Sequence, residues 1–146
     1  MLLDAWITTL HIAFFAIGLS MSEGMSLYMQ SLLRAGVPDT KLLAARAKYF
    51  DRIGAVAWLL CAGTGLFLTC RSGFDWTVKW ISVSVGLFAV LALNGIFGHG
   101  RWLNRVMISN GDPGLLQRAS RLKTVANLIS FLVVSTILAL MVIKPA

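Results

Sequence analysis

Four apolar runs leave this chain few ways to fold. They lie at about residues 5–30, 53–69, 78–97 and 125–143. Each approaches or exceeds the ~20 residues that carry a helix across roughly 30 Å of hydrocarbon. With their connections they use up the chain, so a separate soluble domain has no room. The expectation is one all-α transmembrane domain over residues 1–146, an integral membrane four-helix bundle. Composition agrees: of 146 residues, 58% are hydrophobic and only 13% charged, too few charges to clothe a water-soluble domain of this size.

The formal net charge is +7, but its distribution argues against nucleic acid as a partner. Arg34, Lys41, Arg46, Lys48, Arg52, Arg101, Arg105, Arg118, Arg121 and Lys123 fall on one side of the spans, and Arg71, Lys79 and Lys144 on the other. Such an imbalance in the connections records orientation in a bilayer. It predicts both long connections in the cytoplasm and both termini outside (N-out/C-out), in a bacterial inner membrane. Met1-Leu2-Leu3-Asp4 lacks the basic start of a secretory signal, and the run that follows is long enough to span.

The connection Arg71-Ser72-Gly73-Phe74-Asp75-Trp76 is short and predicts an antiparallel hairpin of spans two and three. Trp76 and Trp80 suit the membrane interface. Pro38-Asp39-Thr40 and Asp112-Pro113 are helix-start signals, the second with aspartate at the N-cap and proline at N1. Helices two and four are therefore expected to extend past the membrane on the cytoplasmic side. Gly18, Ser22, Gly54, Ala57, Ala62, Gly65, Ser82, Gly86 and Ala89 supply the small residues that let helices pack closely in lipid. Cys61 and Cys70 stand nine positions apart on one span, too far for a disulfide.

Polar groups within hydrocarbon are costly, so each one is a candidate for function. His11 lies early in span one and Lys79 opens span three; the two spans run in parallel, so these residues share a depth in the outer half. Intramembrane imidazole is a common axial ligand of haem iron. Alternatively His11 bonds a neighbouring helix and Lys79 snorkels to the surface. Glu23, Arg52, Asn94, His99, Arg101 and Asn127 form a second group toward the inner face, where Glu23 is expected either to pair with arginine or to serve a proton relay or a quinone. His99 is most of a membrane thickness from His11, so the two cannot share one haem; its flanking glycines suggest an interfacial residue. Met21, Met25 and Met29 recur every fourth position, a stripe that either packs or passes Cu(I). No phosphate-binding loop, dinucleotide fingerprint, HExxH or Ser-His-Asp set is present, so any difficult chemistry falls to a bound cofactor.

Trp6-Ile7-Thr8-Thr9-Leu10-His11-Ile12, Arg52-Ile53-Gly54, Gly63-Thr64-Gly65-Leu66 and Trp76-Thr77-Val78-Lys79 together resemble a group of four-helix bacterial membrane proteins. It includes the HemJ-type protoporphyrinogen oxidases and the membrane domain of copper-resistance protein D. The resemblance implies haem b at His11 and a role in activity for Lys79, as propionate partner or second ligand. HemJ-type sequences carry a Leu-Pro-Arg-like stretch after span one, where this chain reads Tyr28-Met29-Gln30-Ser31-Leu32-Leu33-Arg34. The implied kinship is thus of fold and cofactor rather than of substrate. The leading expectation is a haem-b-binding membrane protein in electron transfer, with His11 as metal ligand. The alternatives are an accessory subunit of a larger membrane complex, or a copper or small-molecule transport component acting as a homo-oligomer.

Overall fold

A computed structural model describes residues 2–36, 39–73, 78–109 and 112–143. All regular structure among them is helical. Four helices are long and apolar enough to cross a membrane: α1 (Leu2–Arg34), α2 (Thr40–Arg71), α3 (Lys79–Ile108) and α4 (Pro113–Ile143). Thirty-odd residues make a rod of ~45–50 Å, well beyond the ~30 Å of a hydrocarbon core. Helices two and four do continue through the charged segments that precede their apolar runs, as their start signals predict. Asp39 caps α2 by accepting from the Leu42 amide at 2.8 Å. Asp112 caps α4, accepting from Gly114 at 2.7 Å and Leu115 at 3.2 Å, with Pro113 in the first turn.

The first and third helices run further than their apolar stretches, to Arg34 and Ile108. Gly98-His99-Gly100, which reads as the end of a span, lies inside α3. Each of these helices contains a wide π turn, Ser20–Gly24 in α1 and Asn94–His99 in α3. A π turn accommodates one extra residue, and the buried pattern registers it. Buried positions step by eight across each turn, from Gly18 to Ser26 and from Leu91 to His99. On α4 they step by three and four throughout, at Ala119, Lys123, Ala126, Ser130, Val134 and Ile137.

The chain divides into two compact units, Met1–Phe74 and Asp75–Ala146. In the first, α1 and α2 pair antiparallel. At the open end Arg71 donates to the Asp4 carboxylate. Further along, Phe15 meets the Trp58 ring edge-on at 5.5 Å between centroids. The helices then close where glycines leave room. A Cβ on Gly18 would stand 3.0 Å from the Trp58 ring, and one on Gly54 would stand 3.3 Å from the Met21 Cβ and 3.4 Å from the Ser22 amide nitrogen. Trp58 donates to Ser22 Oγ at 3.3 Å, and Ser22 donates to the Gly18 carbonyl at 2.7 Å. Buried Ala57 and Cys61 continue the α2 face.

In the second unit α3 pairs with α4. Ile81, Ser84 and Leu91 are buried on α3, whereas Ser82, Gly86 and Ala89 share another, exposed face. The expected hairpin of spans two and three turns on residues 74–77, which lie outside the described residues, as does Trp76.

The Gly18–Gly54 approach predicts a sharp contrast among glycine substitutions. Gly54→Ala should destabilise the detergent-solubilised protein by about 1 kcal/mol or more, because Met21 and the helix that carries it must give by a few tenths of an ångström to admit the methyl group. Gly63→Ala meets nothing within 4 Å and should be neutral or stabilising by up to about 1 kcal/mol through helix propensity. Denaturant unfolding in micelles measures both.

Candidate functional site

His11 stands on α1, about two and a half turns before the π segment that starts at Ser20, and its ring lies against α2. Nδ1 is 2.9 Å from the Cys61 carbonyl oxygen and 3.1 Å from Thr64 Oγ1. A carbonyl oxygen only accepts, so Nδ1 carries the proton and donates. The Thr64 hydroxyl is itself directed at main-chain carbonyls, Leu60 at 2.8 Å and Cys61 at 3.0 Å, which leaves its oxygen to face the imidazole as an acceptor. In the neutral ring Nε2 then holds the lone pair. No hydrogen bond reaches it from the described residues. Gly65 makes this pose possible: a Cβ there would lie 2.9 Å from His11 Cε1. Cys61 Sγ lies 3.7 Å from Nδ1 and adds a soft contact on the same side. An imidazole held through Nδ1 by a main-chain acceptor, with Nε2 bare, is how proteins orient histidine toward a metal.

Lys79 opens α3 and is exposed; it belongs to the second unit, and His11 to the first. Met21 lies against Gly54 and Met29 is buried, so two members of the methionine stripe serve packing.

Of the inner group, Glu23 and Arg52 belong to the first unit and Asn94, His99, Arg101 and Asn127 to the second. Glu23 sits in the π turn of α1. Its Oε2 is shut from solvent and meets no hydrogen-bond donor, and among the described residues Glu23 forms no ion pair. The expected Arg–Glu pair is thus absent there. Arg52 is exposed on α2, and Arg101 lies over the Phe97 ring at 5.4 Å. Asn94, at the start of the α3 π turn, donates from Nδ2 to the Ala126 carbonyl and to Ser130 Oγ, both at 2.9 Å. Gly98 lets α4 come close, since a Cβ there would stand 3.3 Å from the Ala126 Cβ. Asn127 is half-buried on α4.

His99 is not interfacial in the sense its glycines suggest. It is 5% exposed, with its ring 5.4 Å from buried Trp102. Lys123, which the charge count treats as a surface cation, is 3% exposed and places Nζ 6.0 Å from the centre of the Trp102 ring. That cation–π contact was invisible in the sequence. The available signal was the i, i+4, i+7 spacing of Ala119, Lys123 and Ala126, which puts the lysine on the packed face of α4.

The Asn94 clamp predicts that Asn94→Leu weakens the α3–α4 pairing by about 1–2 kcal/mol, the upper range for a side-chain bond between apolar helices. Faster amide exchange confined to residues 94–99 and 126–130 is the measurement.

No family model, curated protein or solved structure matches this chain.

Proposed function

We propose that the chain is a multi-pass membrane protein that binds haem b and works in electron transfer. Four helices of sufficient length and apolarity support the membrane part of this reading. The basic residues at the α1–α2 and α3–α4 turns support an orientation with those turns in the cytoplasm of a bacterial cell and both ends outside. The observation that carries the cofactor part is the His11 imidazole. It is oriented by the Cys61 carbonyl and Thr64 hydroxyl, seated on Gly65, and left with a bare Nε2.

Haem iron supplies one-electron chemistry when bound. The chain's contribution is to fix the ligand. Donation from Nδ1–H to Cys61 holds the tautomer and raises the donor strength of Nε2. The Gly65 contact sets the ring's tilt. A single histidine from one hairpin meets the minimum for an axial ligand.

A second reading rests on the same bond. Its Nδ1 interaction ties α1 to α2, which a purely structural histidine would also do, and an accessory subunit of a larger complex needs no more. Stoichiometric copurification with other membrane subunits, without pigment, would favour it.

The haem reading predicts b-type bands in reduced-minus-oxidised spectra of the purified protein. His11→Ala should abolish them. Thr64→Val, which keeps the shape and removes one acceptor, should keep them but change the midpoint potential. Colourless wild-type protein, or undiminished bands in His11→Ala, rejects the proposal.

A further inference from the structure

We propose that Arg71 binds the propionate edge of the haem, a role that rests on the haem reading of His11. The helices α1 and α2 meet in two polar rungs on one stripe. Asp4 meets Arg71 at the open end of the hairpin, and His11 meets Thr64 further in. The rungs stand seven positions apart on both helices. Seven positions bring a helix back to within about 20° of the same face and advance it ~10 Å. The guanidinium is therefore on the same stripe as the imidazole, about two turns nearer the open end. Ile7 on α1 and Leu68 on α2 fall between the rungs. Both are half-buried, as are His11 and Thr64, so pairing of the two helices does not seal this stripe.

Haem b is a flat apolar disc with its two propionates at one edge. The stripe carries the matching chemistry in the matching order: an imidazole nitrogen for the iron, an aliphatic rung for the ring and a cation for the edge. Within Met1–Phe74 the other lysines and arginines lie toward the opposite end, at Arg34, Lys41, Arg46, Lys48 and Arg52. Arg52, the nearest of those on α2 to Thr64, is twelve positions away, ~18 Å along the helix. Lys79, the propionate partner that the family resemblance implies, belongs to the other unit. The Arg71 side chain is 47% exposed and donates from Nε to Asp4. That contact occupies one edge of the guanidinium and leaves its two terminal nitrogens, a planar pair of donors that matches a carboxylate.

Retention of the porphyrin is the readout. The full chain is loaded in mild detergent with haem b or with its dimethyl ester, whose propionates are blocked, and release to excess apo-globin is timed. Wild type should release the ester about tenfold faster than haem b, the loss expected of a charge-assisted pair. Arg71→Gln should release haem b at that faster rate and the ester no faster than wild type does. It should also lower the midpoint potential, because an uncompensated propionate favours ferric iron. Asp4→Asn, which breaks the same ion pair but keeps the guanidinium, should release haem b no faster than wild type. Equal release of haem b and ester from wild type overturns the proposal; this comparison needs no variant and stands if Arg71→Gln fails to fold. Fast release from Asp4→Asn also overturns it, since the ion pair and not the guanidinium would then be responsible. Wild type without b-type bands removes the haem reading itself, whereas b-type bands with equal release remove only the role of Arg71.

Discussion

Side chains that are apolar on every face of a helix cannot choose which face is buried. Leu59, Phe131, Val142 and Ile143 are exposed, while Ala44, Ala47 and Ser130 are buried, the reverse of what a water-soluble helix shows. In the bilayer proposed for these helices, association would depend on close contact and on the few hydrogen bonds available, not on expulsion of water. The registers of both hairpins are therefore set by the exceptions to the apolar pattern: glycines, small hydroxyls, one asparagine and one histidine.

The two hairpins meet this constraint differently. In the first, missing side chains do most of the selecting. At Gly18, Gly54 and Gly65 an added Cβ would stand 3.0, 3.3 and 2.9 Å from an atom of the opposite helix, closer than most Cβ contacts. Sliding α1 by one turn along α2 would set Trp58 against Phe14 or Ser22 and His11 against Cys61 or Thr69, each of which carries a side chain where the glycine has none. The Trp58–Ser22 and His11–Cys61 bonds then lock the register that the glycines permit. In the second, a polar side chain bridges the pair. Asn94 reaches a carbonyl and a hydroxyl one turn apart on α4. Trp102 and Lys123 extend the contact toward the turn, where an ammonium group lies against an aromatic face rather than in water.

Some of this was readable from the residues and some was not, for physical reasons. Asp39 and Asp112 announce helix starts locally, because a cap acts on amides two and three positions away. The extension of α2 and α4 followed from them. The small residues Gly18, Ser22, Gly54 and Gly65 were recognisable as contact formers, yet which one faces which depends on register between helices, and a single strand of sequence carries no such information. For the same reason His11 was identifiable as a costly polar group, while its partners Cys61 and Thr64 were not. Lys123 was misread because the counting of basic residues assigns every lysine to solvent. Gly98 and Gly100 suggested that His99 is interfacial; instead the bare main chain at Gly98 lets Ala126 of α4 come close and the helix runs on.

The π turns connect these strands. Had α1 and α3 kept seven-residue steps from Gly18 and Leu91, the next buried positions would be Met25 and Gly98. The extra residue in each turn carries Ser26 and His99 to those places instead, so a hydroxyl and an imidazole enter the core where a thioether and a bare main chain would have been. The same insertion strands Glu23 between two faces. Its neighbours Ser22 and Ser26 lie on the packed side before and after the wide turn, and the carboxylate falls where the helix changes phase. An acid at that point belongs neither to the packed stripe, which offers it no donor, nor to the charged segment beyond, which begins only at Arg34 on this helix. Its unpartnered oxygen is a consequence of helix geometry.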